Sequence, residues 1–236
     1  MNSVETFLDL YRTLEEDLKE YYAGRKLKYS TPVYEYMNKD GRRHYDEIDL
    51  CREIRNILSH HPYFEGDMPL IPSEKLIGSL RQIIYEVENP VTAIKIATPL
   101  SELVTAAYND AASSLLFKME KRGFSHVPVI DNNGVLTGVF SVGAVFEYIR
   151  SRRDVAIDSV LLSDMKDFLP PNVHRSERYL FCEPGATLSE VKGMFRSTGP
   201  KQRRVAAVFV TKTNDERSAL RGMITPWDLI KTENDN

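Results

Sequence analysis

The chain is poor in cysteine, tryptophan and histidine: of 236 residues two are cysteine, one is tryptophan and five are histidine. Two cysteines as far apart as Cys51 and Cys182 exclude a disulfide scaffold and a paired-cysteine zinc site, and they fit a reducing cytoplasm. No uncharged apolar run approaches the roughly 18 residues of a membrane span, so none is expected. The opening MNSVETFLDLYRTLEEDLK carries acids early, lacks a continuous apolar block and does not read as a secretory leader. A basic excess is also missing, with 31 Lys+Arg against 34 Asp+Glu and a net charge of −3. That balance argues against the cationic surface that drives non-specific nucleic-acid binding. The deficit lies in residues 1–90, which hold 12 basic and 17 acidic residues against 19 and 17 in the remainder.

What is present falls into two parts. Residues 1–90 read as helical. Val4, Phe7, Leu8, Leu10, Tyr11, Leu14 and Leu18 recur at three- and four-residue steps, which predicts an amphipathic helix ended near Gly24. Thr31-Pro32 reads as an N-cap and first helical position for a short helix through Met37, and Asp40-Gly41 as a turn. A third helix starts near Tyr45 with Ile48, Leu50, Cys51, Ile54, Ile57 and Leu58 on its apolar side, and Pro62 bounds it. A loop to Pro72 precedes a fourth helix from Ser73, with Leu76, Ile77, Leu80, Ile83, Ile84 and Val87 inward. Four helices with short connections predict an antiparallel bundle. Tyr21, Tyr22, Tyr29, Tyr34 and Tyr36 give it an aromatic surplus suited to packing.

Beyond Pro90 helical stretches alternate with short β-branched runs. Residues 125–131 and Val135–Phe140 read as strands around an Asn-Asn-Gly turn, followed by a helix from Val142 to Arg150. The order returns in residues 204–212, Leu220–Ile224 and Pro226–Lys231. Helix-like stretches, Ala111–Arg122 and Leu188–Ser197, precede each pair. This is an internal repeat, and each copy is too small to close a good core alone.

The repeat, carried by SHVPVIDNNGVLTGVFS (125–141), RRVAAVFV (203–210) and LRGMITPWDLIK (220–231), resembles the CBS domain, which occurs as tandem pairs called Bateman modules. The resemblance implies a regulatory module that binds an adenine nucleotide such as AMP, ADP or ATP. The family's ribose-phosphate signature, Gly-x-x-Ser/Thr-x-x-Asp, stands here as Gly222, Thr225 and Asp228. The first copy has Gly138 and Ser141 but Ala144 in place of the acid. Independently of the family, a strand that delivers Thr225 to a helix N-terminus offers a hydroxyl and free amides to a phosphate. Asp228, one turn on, can accept ribose hydroxyls. Lys201, Arg203 and Arg204 at the start of the facing strand can neutralise phosphates. Thr225-Pro226-Trp227-Asp228 is equally the pattern of a capping box, and the three basic residues equally that of a solvated face.

In the helical part RNILSHHP, Arg55 to Pro62, resembles the Arg-Asn-x-x-x-His signature of HEPN domains, small helical bundles many of which are metal-independent ribonucleases. Arg55, Asn56 and His60 match it. In such an enzyme the histidine would be the general base on a ribose 2′-hydroxyl and the arginine would stabilise the phosphorane. The alternative is structural: His60 and His61 favour a helix C-terminus, and Arg55 pairs with an acid. His44 beside Asp46 and Glu47 reads as surface rather than metal ligand, and no phosphate loop or nucleophile elbow occurs.

The expectation is thus an α+β protein, a four-helix bundle (1–90) followed by a tandem CBS-domain pair (91–153 and 154–236). The reading is a cytoplasmic, homodimeric nucleotide sensor that needs no cofactor, with RNA or a protein as partner of the helical domain. The alternatives are a nucleotide-regulated ribonuclease and a structural module without ligand.

Overall fold

A computed structural model of the chain describes residues 2–60, 69–152, 155–198 and 203–234. It divides into two compact units, Met1–Pro90 and Val91–Asn236. Among the described residues no helix is long and apolar enough to cross a membrane. Both cysteines are buried and free.

The first unit is helical: α1 (Ser3–Tyr21), α2 (Pro32–Asn38), α3 (Tyr45–His60) and α4 (Glu74–Glu88). Side chains start three of them. Asn2 and Glu5 form a reciprocal capping box on α1, Thr31 caps α2 with Pro32 in the first turn, and Ser73 caps α4. Each cap satisfies amides that the helix itself leaves without partners. Phe7, Tyr11, Leu14 and Leu18 of α1 pack with Ile48 and Cys51 of α3 and with Ile77, Leu80 and Ile83 of α4. Glu35 of α2 is only 1% exposed. Burial alone would raise its carboxyl, but Lys39 and the amides of Tyr29 and Lys28 bind it and hold it below the usual carboxylate range. One buried charge thereby fixes the loop between α1 and α2.

Two sequence expectations fail on α3. Leu50 and Ile57, placed on the apolar side, are 48% and 40% exposed. Seven residues apart, they share a stripe of their own, rotated away from the Ile48, Cys51 and Leu58 stripe that meets α1 and α4. Pro62, the expected end of α3, lies outside the described residues.

The second unit begins with α5 (Ala93–Ile96) and the short β1 (Thr98–Pro99). The first repeat follows as α6 (Ala112–Arg122), β2 (His126–Ile130), β3 (Leu136–Ser141) and α7 (Val142–Ser151). Two short 3-10 turns lead to the second repeat: β4 (Glu177–Cys182), α8 (Leu188–Arg196), β5 (Arg204–Thr211), β6 (Leu220–Ile224) and α9 (Pro226–Asn234). The strand order is β1-β6-β5-β4 in one sheet and β2-β3 in the other. Strand β4 escaped the sequence reading. Its ERYLFC lacks a period-two pattern, because only Tyr179 and Cys182 are buried in it.

The register shows the internal symmetry. Gly138 of β3 opposes Val129, and Gly222 of β6 opposes Val210. Each repeat is completed by the segment leading into the other. Strand β1, ahead of the first repeat, pairs with β6 of the second, and the amide of Val139 in β3 donates to the carbonyl of Leu169, ahead of the second repeat, at 2.7 Å. The crossing segments come very close. A Cβ on Gly222 would lie 2.8 Å from the Thr98 carbonyl oxygen, and one on Gly138 2.7 Å from the Leu169 Cβ. Leu136, Val139, Tyr179, Phe209, Leu220 and Met223 form a core drawn from both repeats, so neither closes its interior alone.

Gly138→Ala and Gly222→Ala are expected to destabilise the second unit by about 1–3 kcal/mol each, the usual cost of forcing extra volume into a packed site. Gly78 of α4 has open space around it, so Gly78→Ala should stabilise the first unit by about 1 kcal/mol. Scanning calorimetry of the three variants checks both signs.

Candidate functional site

At the end of β6 the chain turns into α9 through Thr225. The Thr225 amide and hydroxyl both donate to one oxygen of Asp228, Oδ2, each at 2.7 Å. This is half of a capping box. The reciprocal bond, in which the threonine hydroxyl accepts from the amide three residues on, is present at Thr187–Glu190 (3.2 Å) but is replaced here. Thr225 uses its proton on Asp228, and the hydroxyl's lone pairs stay available. Asp228 Oδ1 has no hydrogen-bond partner among the described residues. Thr225 and Asp228 are both partly accessible, and Trp227 between them is 72% exposed. A free carboxylate oxygen, a hydroxyl acceptor, helix amides and an open indole thus meet at one helix N-terminus. That set can bind vicinal hydroxyls, a phosphate oxygen and a flat ring.

Gly222 belongs to the signature for a packing reason, the passage of β1 past it. Arg204 opens β5 four residues before the β6-paired segment, is exposed and makes no ion pair among the described residues. It stands at the β5 end nearest the start of α9. Arg203 is turned elsewhere: its guanidinium donates to the His174 carbonyl at 2.6 Å. Lys201 lies outside the described residues.

The corresponding turn of the first repeat is built differently. Ser141 caps α7 by accepting from the Ala144 amide at 3.2 Å and is 0% exposed. The Tyr179 hydroxyl donates to Glu177 Oε2 at 2.8 Å, and the same oxygen lies 3.2 Å from His126 Nε2. His174 packs edge-on against Tyr179, and its Nε2–H donates to the Leu169 carbonyl at 3.1 Å. The contact with His126 holds the Glu177 carboxyl down at about 2, against the opposing effect of burial, with the Tyr179 hydroxyl assisting. Burial lowers His174, while burial and the Glu177 charge push the Tyr179 hydroxyl up, so it remains a donor. Glu177, Tyr179 and His174 were invisible to sequence reasoning because the segment carrying them showed no element.

In the helical unit Arg55 and Asn56 line a cavity of about 360 Å³ together with Tyr11, Tyr34, Lys19 and Arg52. Arg55 pairs with Glu15, donates to Asn56 Oδ1 at 3.1 Å and lies over the Tyr11 ring. His60 is the exposed last residue of α3 and is not in the cavity wall. Among the described residues no group of three or more His, Cys, Asp or Glu side chains is placed to hold a metal.

Comparison with known proteins adds a family. The family model described as CBS domain matches residues 91–151 and 173–235. No curated relative matches. Among solved structures, CbpB in complex with c-di-AMP is 19% identical, with 66% of this chain and 93% of that one covered and a TM-score of 0.47. AcuB from Vibrio cholerae is 17% identical, covering 62% and 92%, at 0.47. CBSX2 in complex with AMP is 15% identical, covering 61% and 96%, at 0.45.

The Glu177 cluster has a signature in acid. The folded carboxyl titrates at about 2, below its ordinary 4.5, so its stabilisation is complete above about pH 4.5 and is lost as pH falls towards 2. Glu177→Gln should cost about 2–3 kcal/mol at pH 6, and the gap between variant and wild type should narrow on going to pH 3. Urea unfolding at the two pH values measures it.

Proposed function

The chain belongs to the CBS domain family, and from that premise we propose that it is a regulatory protein whose Val91–Asn236 unit binds an adenine nucleotide at Thr225 and Asp228. The observation that carries this reading is the unpartnered Oδ1 of Asp228 beside the exposed Trp227. In the bound state Asp228 accepts the ribose hydroxyls, the Thr225 hydroxyl and the Trp227 amide hold the phosphate, and Arg204 neutralises it. Signalling then follows from differential affinity: a nucleotide that prefers one arrangement of the pair raises the population of that arrangement. No covalent step is involved.

The helical unit, in this proposal, is the responding element, an effector or dimerisation domain. Homodimerisation is assigned to the apolar residues that the second unit leaves exposed on its helices, Phe117, Val142, Phe146 and Ile230. The cytoplasm is the compartment that buried, free thiols suit. The ribonuclease reading has less behind it. Arg55 is occupied by Glu15 and Asn56, and His60 is outside the cavity that these residues line. With a labelled single-stranded RNA, wild type and His60→Ala should leave the substrate equally intact. Cleavage to 2′,3′-cyclic phosphate ends that disappears in His60→Ala would make the helical unit an enzyme.

Trp227, the sole tryptophan of the chain, is a built-in probe of the nucleotide reading. Titration with AMP, ADP and ATP should change its fluorescence with at least one of them. At a hundred times its dissociation constant that ligand should stabilise the fold by about 2.7 kcal/mol. Both effects should vanish in Asp228→Ala. Silence with all three nucleotides would return Thr225 and Asp228 to the role of a helix cap.

A further inference from the structure

The two halves of the pair present the same turn in opposite states. At Thr225–Asp228 a carboxylate oxygen is unpartnered and accessible. At Ser141–Ala144 the side chain that corresponds to the acid is a methyl group, and the hydroxyl is fully buried. The polar capacity of the first turn is used up internally. The Ala144 amide goes to Ser141, the Tyr179 hydroxyl to Glu177, and Glu177 faces His126. The carboxylate missing from position 144 has a substitute, supplied by β4. A Cβ on Gly143, in the first turn of α7, would lie 3.9 Å from Glu177 Oε2 and 3.3 Å from Ser176 Oγ.

The space left beside this turn is small and of the wrong sign. The cavity there measures about 160 Å³ and is lined by Gly143, Ala144, Glu147, Asp167, His174 and Arg175, among others. Two carboxylates face one guanidinium, and Arg175 already lies 3.7 Å from Glu147, so a phosphate entering here meets net negative charge. The wall is also pinned. His174 donates to the Leu169 carbonyl and accepts from Arg203 on its own carbonyl, which ties the segment from Leu169 to Ser176 to the start of β5.

We infer that the first half of the pair is closed to nucleotide by its buried Ser141 and the chain's own Tyr179–Glu177–His126 cluster, so that the protein takes one adenine nucleotide per chain, at Thr225–Asp228. The inference rests on the nucleotide reading above and deepens it. The closed half acts as a fixed frame, a turn already holding its carboxylate, against which the open half changes when its own ligand arrives.

The test is isothermal titration calorimetry of the full chain with AMP, ADP and ATP, joined to hydrogen exchange with the one that binds. The expected stoichiometry is one per chain, abolished by Asp228→Ala and unchanged in Tyr179→Phe and Glu177→Gln. Exchange should slow in residues 222–232 on binding and stay unchanged in 138–148 and 174–179. A stoichiometry of two would overturn the inference, as would a single site that survives Asp228→Ala or protection that appears at 138–148. Should Glu177→Gln fail to fold, Tyr179→Phe and the exchange pattern of the wild type decide alone. Failure of the underlying reading looks different: no heat with any of the three nucleotides in a wild type whose thermal transition is intact.

Discussion

The close passage of two backbone segments over Gly138 and Gly222 is the constraint on which the second unit depends. At each glycine an incoming segment lies where a side chain would otherwise stand. The segment that arrives belongs, in chain order, to the opposite repeat. This exchange lets two small repeats share one interior. It also fixes where β3 and β6 end, and hence where Ser141 and Thr225 meet their helices. The glycine of the family signature is therefore a steric requirement of the exchange, while the hydroxyl and the acid belong to the turn that follows.

From identical scaffolding the two turns diverge through one carboxylate. In the second, Asp228 holds Thr225 with one oxygen and leaves the other free. In the first, position 144 is alanine and the nearby carboxylate comes from Glu177, sequestered by His126 and Tyr179. A carboxylate with a free oxygen at a helix N-terminus is available to a ligand. One held by a histidine and a tyrosine stabilises the fold. The same functional group thus serves recognition or cohesion according to its neighbours.

Much of this was legible in the sequence. The helices of the first unit announced themselves by periodicity and by Thr31 and Ser73 at the starts of two of them, and the repeat by its β-branched strands and the Asn-Asn-Gly turn. What stayed hidden was hidden for physical reasons. Strand β4 is bordered by charge, and only two of its six residues are buried, so no alternation marks it. Leu50 and Ile57 are apolar, yet they point away from the packed face. Arg203 and Arg204 are neighbours in sequence and looked like one cationic cluster. Successive residues at a strand diverge, and the two end with different surroundings, one on the His174 carbonyl and one in solvent.

The exchange of leading segments has a consequence for how the chain comes into being. Strand β1 is made early in the second unit, but its partner β6 follows only after both repeats have otherwise been synthesised. Until then Thr98 and Pro99 have no sheet to join, and the apolar surface shared by the repeats stands uncovered. Pairings between distant parts of a chain form slowly and expose such surface meanwhile. The first repeat thus cannot mature as an independent folding unit during synthesis. Completion of the second unit therefore waits for β6 to emerge and pair with β1.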